Sequence, residues 1–213
     1  MAAGSPKQYL TIAGKPMLRH AIDAFLASPH IAHTYVVVSA DDGMIAEVVP
    51  THGVTVLRCG GATRMETILN ALQALAGVLH DGDQVLVHDA ARPGLTPALI
   101  EKLITEVGDH AAGGLLAVPV VDTVKRAEQG QLSQATVPRD GLWLAQTPQM
   151  FSCALLRRAL SEAPDPAAIT DDASAVEALG LSPRLVEGHP RNLKVTLPRD
   201  IATAELYLNH ASF

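Results

Sequence analysis

The stretch Gln84-Val85-Leu86-Val87-His88-Asp89-Ala90-Ala91-Arg92-Pro93 decides the fold. Its first half is apolar on successive positions and rich in β-branched residues, which suits a strand covered on both faces. It then breaks into an acid and a base flanking two small residues. Ligands of open α/β sheets bind outside the carboxyl ends of the strands, so this junction is the first place to look for chemistry. The alternative is a turn whose Asp89 caps the helix that starts near Thr96.

The same pattern recurs on either side. Tyr35-Val36-Val37-Val38-Ser39, Val54-Thr55-Val56-Leu57 and Leu115-Leu116-Ala117-Val118-Pro119 are further short runs of this kind. Between them lie amphipathic segments in which Met17, His20, Ala21, Ala24 and Phe25 share one face, as do Ile68, Leu69, Leu72 and Leu75, and Leu99, Ile100, Leu103 and Ile104. This βαβα order predicts an α/β domain with a mostly parallel sheet, and one domain for all 213 residues. Residues 120–139 break the pattern. They are polar, turn at Gly130, and read as a two-stranded ribbon projecting from the body. Helical patterns return at 153–163 and 171–179. A short strand follows near Arg184–Glu187, and then a last helix over Pro198–Asn209 with Thr196 as its cap.

Composition narrows the function classes. With 22 acidic against 16 basic side chains the net charge is −6, which disfavours a nucleic-acid partner. Aromatic residues make up 3% of the chain, too few for a base-stacking platform. The longest apolar runs fall short of a membrane span and no signal peptide is visible, so the expected place is the cytoplasm and no membrane partner is expected. Cys59 and Cys153 form no framework, and Cys59 is expected to be a buried small hydrophobe. No two of the nine His residues stand four apart, so no protein-held metal is expected.

Other candidate residues follow the remaining runs. Gly60-Gly61-Ala62-Thr63-Arg64 leads into a helix, where backbone amides can face an anion. Ala2-Ala3-Gly4 followed by Pro6-Lys7-Gln8-Tyr9 sets a mobile positive charge beside a small-residue loop, as phosphate binding needs. Asn192-Leu193-Lys194-Val195-Thr196 reads as an apolar edge strand carrying one lysine. Thr170-Asp171-Asp172 reads as a helix start capped by Thr170, which could also reach a phosphate.

Taken together and in order, these segments resemble the bacterial 2-C-methyl-D-erythritol 4-phosphate cytidylyltransferases of the non-mevalonate isoprenoid pathway. The resemblance also takes in Pro119-Val120-Val121-Asp122-Thr123-Val124-Lys125-Arg126, Arg139-Asp140-Gly141-Leu142-Trp143, Gln146-Thr147-Pro148-Gln149-Met150-Phe151 and Ile169-Thr170-Asp171-Asp172-Ala173-Ser174. It implies a three-layer, Rossmann-like nucleotidyltransferase fold and transfer of CMP from CTP to the polyol phosphate. By that resemblance Lys7, Arg139 and Lys194 are catalytic. Lys7 would meet charge on the triphosphate, while Lys194 and Arg139 hold the attacking phosphate. Asp89, Thr123, Thr147 and Thr170 would bind the polyol phosphate. Ala2, Ala3, Gly4, Gly61, Thr67 and Ala90 would line the CTP site, and Arg64 and Arg92 join the substrate-binding set. The resemblance further implies Mg²⁺ held mainly by the CTP phosphates. It also implies a homodimer in which the ribbon embraces the second subunit, with Thr123 and Arg139 reaching the neighbour's site.

The chain departs from the family in two places. The family opens with a hydrophobic strand and carries a second glycine and an Arg in the loop before Pro6-Lys7-Gln8-Tyr9, whereas here Met1 directly precedes Ala2-Ala3-Gly4 and Ser5 alone separates Gly4 from Pro6. The expectation is that the complete protein has a strand of about five residues ahead of Ala2 and an Arg-bearing loop between Gly4 and Ser5. Ala62 stands where many relatives carry Asp. The competing functions are a ribitol 5-phosphate cytidylyltransferase and a nucleotide-binding relative without catalysis.

Overall fold

The structure, a computed structural model, describes residues 6–210. The expectations for Ala2, Ala3 and Gly4, and for the loop between Gly4 and Ser5, lie outside the described residues.

A short hairpin, β1 (Thr11–Ile12) and β2 (Lys15–Pro16), leads into helix α1 (Met17–Leu26). Then follow β3 (Thr34–Val37), α2 (Ile45–Val48), β4 (Val54–Leu57), α3 (Arg64–Ala74), β5 (Gln84–Val87), α4 (Pro97–Val107) and β6 (Gly114–Pro119). The ribbon is β7 (Val124–Ala127) with β8 (Ser133–Val137). After it come β9 (Trp143–Ser152), α5 (Cys153–Ser161), α6 (Asp172–Ala178), β10 (Arg184–Glu187) and α7 (Pro198–Asn209).

The main sheet has the order β10-β6-β9-β5. Strand β10 runs parallel to β6, and β9 runs antiparallel to both β6 and β5. Both faces are covered, as the continuous apolar runs require. Val85 and Val87 pack with Leu72, Phe151 and Leu156 on one side. Leu86 packs with Phe25, Ile100, Leu103 and Met150 on the other. Alternation along one strand thus feeds two cores.

Strand β9 was not legible in the sequence, because Pro148 cannot donate to a ladder and argues against a central strand. The register shows how it is accommodated. Leu115 pairs with Gln149 and Ala117 with Ala145, so residues 146–148 bulge opposite Leu116. Such bulges re-aim side chains, and Gln146 and Thr147 sit in this one.

Strands β3 and β4 form a separate parallel pair. Arg64, at the start of the helix after β4, bonds Asp89, two residues past β5, which brings the carboxyl ends of β4 and β5 towards one site. Among the described residues β3 pairs only with β4 and β5 only with β9, and an apolar cavity separates the two sheets.

Three local expectations and one alternative are corrected. Residues 192–196 form no ladder strand. They leave a 3-10 turn, Pro190–Asn192, as extended chain anchored by Val195 N–H to the Ala91 carbonyl at 2.8 Å. Thr196 does not cap α7. Leu197 holds that position, and the Asp200 carboxylate accepts from the amides of Thr196 and Leu197. Cys59 is half-buried, because it lies past the end of β4, where its carbonyl accepts from Asn70 at 2.9 Å. Thr96 caps α4 itself by accepting from the Leu99 amide, which frees Asp89 for the site. Among the described residues no helix is long and apolar enough to cross a membrane.

Candidate active site

Asp89 leaves the carboxyl end of β5 with its side chain 13% exposed, so its charge needs partners. It has two. Lys194 approaches Oδ2 at 2.8 Å and Arg64 Nε donates to Oδ1 at 3.1 Å. Burial alone would raise its pKa, but the Lys194 hydrogen bond and the Arg64 charge outweigh that and pull it down to about 2.

Arg64 is itself held. It opens α3 after the Thr63 cap, and its two terminal nitrogens donate to both oxygens of Asp172, at 2.9 and 2.8 Å. Asp172 is fully buried in the first turn of α6. Burial raises its pKa against the pull of Arg64. Asp171, not Thr170, caps α6, accepting from the Ser174 amide, and it receives Gln149 Nε2 at 2.7 Å. Gln149 Oε1 in turn accepts from the Ala173 amide at 2.8 Å. The bulge of β9 therefore locks the start of α6, and α6 locks Arg64.

On the opposite wall Arg92 is committed to backbone. It donates to the Asn192 carbonyl at 2.8 Å and the Ala145 carbonyl at 3.2 Å, tying the Lys194 segment to β9. Gly94 makes this approach possible, since a Cβ there would lie 1.8 Å from the Arg191 carbonyl oxygen. Asn192 adds a bond from its amide to the Thr147 carbonyl at 2.7 Å. Asp89 N–H donates to the Thr147 hydroxyl at 3.1 Å, and that hydroxyl lies 2.9 Å from His88 Nδ1. With His88 Nε2 at the Arg92 carbonyl, these partners call for a neutral ring protonated on Nε2. Burial pushes the His88 pKa down to about 4, in agreement.

The pocket so formed has a volume of about 210 Å³ and is lined by Arg64, Asp89, Arg92, Thr147, Thr170 and Lys194 together with Ala145, Gln146, Gln149 and Asp171. It is smaller than the ~300–1,000 Å³ usual for drug-sized ligands. It can take a small anion with hydroxyls, set among one exposed ammonium and two guanidinium groups.

Six of the expected residues thus converge. Others do not join them. Thr67, Ala90 and Gln8 border the larger cavity between the sheets. The Gly61 amide donates to the Thr67 hydroxyl at 3.0 Å, and Glu66 occupies the amides of Ala62 and Thr63. In this state the glycine loop is thus closed on its own side chains. Lys7 is exposed after Pro6. Thr123 and Arg139 lie exposed at the ribbon, where the Arg139 guanidinium donates to the Val121 carbonyl. Gln149, Asn192, Asp171 and Asp172 were missed as parts of the site. The available signal was polar residues inside otherwise apolar segments.

The family model of 2-C-methyl-D-erythritol 4-phosphate cytidylyltransferase matches residues 1–210. Among curated relatives, the protein of that name from Ralstonia nicotianae is 52% identical over 217 residues, covering 97% of this chain and 86% of the relative. That from Azoarcus sp. is 48% identical, with coverage of 99% and 89%. A crystal structure of a 4-diphosphocytidyl-2C-methyl-D-erythritol synthase superimposes with a TM-score of 0.88 at 47% identity, covering 95% of each chain. With this fold, and with the site assembled from the same segments that carry the sequence resemblance, the chain belongs to the 2-C-methyl-D-erythritol 4-phosphate cytidylyltransferase family.

Proposed function

We infer that this protein transfers CMP from CTP to 2-C-methyl-D-erythritol 4-phosphate, giving 4-diphosphocytidyl-2-C-methyl-D-erythritol and pyrophosphate. The observation that carries the reading at the site is the Lys194–Asp89–Arg64 chain at the carboxyl end of β5. It sets a mobile ammonium beside a carboxylate that is held ionised, as recognition of a hydroxylated phosphate requires.

In the reaction a phosphate oxygen of the polyol phosphate attacks the α-phosphorus of CTP. One P–O–P bond forms, the bond to the β-phosphate breaks, and pyrophosphate carries away the electron pair. This needs alignment and charge neutralisation rather than a covalent enzyme intermediate. Lys194, 42% exposed on a short tether, would turn from Asp89 to the attacking phosphate. Asp89 would then accept from substrate hydroxyls, and Thr147 and Thr170 would bound the polyol. Arg92 is a positioning residue in this scheme, because it holds the Asn192 and Ala145 carbonyls and leaves its Nε 3.9 Å from Asp89 Oδ2. Lys7 would meet the triphosphate. The closed Gly61 loop would exchange its bonds to Glu66 and Thr67 for bonds to the nucleotide, with Ala2, Ala3, Gly4 and Ala90 nearby.

Mg²⁺ fits this donor set as an ion carried by the phosphates, since it commonly takes one or two carboxylates plus phosphate oxygens. Asp89 is the buried carboxylate of the pocket, and it is already balanced by two cations. When bound, the ion supplies neutralisation of triphosphate charge.

The reading includes a homodimer. Val121, Leu142, Trp143 and Leu144 at the base of the ribbon are 71%, 39%, 37% and 59% exposed, and a second subunit seated there would cover them. Thr123 and Arg139 would then complete the partner's pocket. It also includes a cytosolic location, supported by free thiols at Cys59 and Cys153.

The test is pyrophosphate release with CTP and 2-C-methyl-D-erythritol 4-phosphate, run beside CTP with ribitol 5-phosphate. Turnover with the methylerythritol substrate at least tenfold above the other is expected. Preference for ribitol 5-phosphate, or CTP binding without turnover, would replace the reading.

A further inference from the structure

His88 and Thr147 meet beside Asp89, and the protons between them can be placed one by one. His88 Nε2 lies 3.2 Å from the Arg92 carbonyl, which can only accept, so that nitrogen carries the ring proton and Nδ1 keeps its lone pair. The Thr147 hydroxyl lies 2.9 Å from Nδ1 and accepts from the Asp89 amide at 3.1 Å. An amide N–H can only donate, so the hydroxyl proton goes to Nδ1. Phe25 packs edge-on against the ring with centroids 5.5 Å apart. With one lone pair and the proton of Thr147 occupied, a single lone pair is left on its oxygen. Thr147 lines the pocket, so a ligand that reaches this oxygen meets an acceptor and must bring a proton. Asp89 beside it is an acceptor as well, with Oδ1 on Arg64 and Oδ2 on Lys194.

We propose that His88 is a specificity-determining residue of the pocket. By taking the Thr147 proton it turns that hydroxyl into a pure acceptor, which selects a substrate hydroxyl at this point over a phosphate, carbonyl or ether oxygen. The role rests on the reading of the pocket as a polyol-phosphate site, and it adds the residue that sets the polarity of one contact. His88 acts through Thr147 and is therefore a positioning residue. A threonine alone would not discriminate, since a free hydroxyl rotates to give or to accept. With the rotor locked, an oxygen without a proton faces lone pair against lone pair, and the Thr147 oxygen is left without its bond. The same lock turns the substrate phosphate away from this wall and towards Lys194, which can only donate. A site built to bond a substrate hydroxyl rejects an analogue lacking it far more strongly than an apolar pocket does.

The experiment compares 2-C-methyl-D-erythritol 4-phosphate with analogues in which each hydroxyl in turn is replaced by fluorine, which is close to a hydroxyl in size and has no proton to give. Two variants separate the halves of the ring. In His88→Asn the side-chain oxygen can stand near Nδ1 and accept from Thr147, whereas in His88→Gln the amide reaches the Nε2 position and serves the Arg92 carbonyl. The ratio of kcat/KM between parent and analogue is read, because a general loss of fold or turnover cancels in it. One analogue is expected to fall about thirtyfold or more in the wild type and to keep that ratio in His88→Asn. In His88→Gln it should recover about fivefold or more, since the freed hydroxyl can turn its proton to the fluorine. Equal ratios in His88→Gln and the wild type for every analogue overturn the role of His88 while the reading of the pocket stands, as does equal recovery in His88→Asn. No turnover of the parent by the wild type overturns the reading and the role with it. Nitrogen-15 shifts of the His88 ring near neutral pH give a second measurement that needs no variant. A proton on Nε2 alone is expected, and one on Nδ1 overturns the proposal.

Discussion

Arg64 and Asp172, 108 positions apart, meet through two parallel hydrogen bonds of 2.9 and 2.8 Å, and the third guanidinium donor of Arg64 goes on to Asp89. A buried carboxylate therefore aims the arginine that helps to keep the pocket carboxylate ionised. The fork geometry is one a lysine cannot reproduce.

Asp172→Ala is expected to cost about 3 kcal/mol of stability, because it leaves a guanidinium in a part-buried site without its main partner. Arg64 keeps a third of its side-chain surface, which holds the figure at the low end. Urea denaturation at pH 7 measures it, and a loss under about 1 kcal/mol would show the pair to be dispensable.

Lys194→Ala should lower kcat/KM tenfold or more, about 1.4 kcal/mol of transition-state stabilisation. The fold should persist, since this side chain is 42% exposed. The same change removes the first of the groups that lower the Asp89 pKa, so the carboxyl resonance of Asp89 should titrate above its present value of about 2. A folded variant with less than a threefold kinetic change would remove Lys194 from the site.

His88 gives a pH dependence. Its folded pKa of about 4 lies below the ordinary 6.5, because burial opposes the charged ring. The unfolded chain therefore takes up the proton first, and the folded state loses stability as pH falls from about 6.5 towards 4. The His88 share of the loss is on the order of 3 kcal/mol. In His88→Gln this slope should flatten across the same window. Denaturation curves of equal steepness in the two proteins would rule out this origin.

The ribbon bears on assembly. The protein should sediment as a dimer at micromolar concentration, and replacing residues 124–137 by a short turn should give a monomer that keeps its far-ultraviolet dichroism. A two-stranded ribbon with β7 and β8 almost wholly exposed has little of its own to hold it. A monomeric full chain would refute the embrace.

The sequence by itself determined the strands at 54–57, 84–87, 114–119 and 184–187 and the helix faces between them, because continuous apolar runs and 3.6-residue periodicity are local signals. It also marked the ribbon, through polarity and Gly130. Asp89 and Lys194 were legible as charges beside apolar runs, Arg64 as the end of a glycine turn and Thr170 as a helix start, while Thr147 came from the family motifs alone. What the tertiary structure decided was how those residues divide the work. Arg92 clamps two carbonyls at the pocket wall, and the Thr147 hydroxyl goes to His88 and the Asp89 amide. Asp172, which reads as an ordinary first-turn acid, became the buried anchor of Arg64. Strand β9 was hidden by Pro148 until the register showed its bulge opposite Leu116. In each case the deciding quantity is a partner tens of residues away. Burial makes that partner obligatory, because a polar group without one costs more inside the protein than in water.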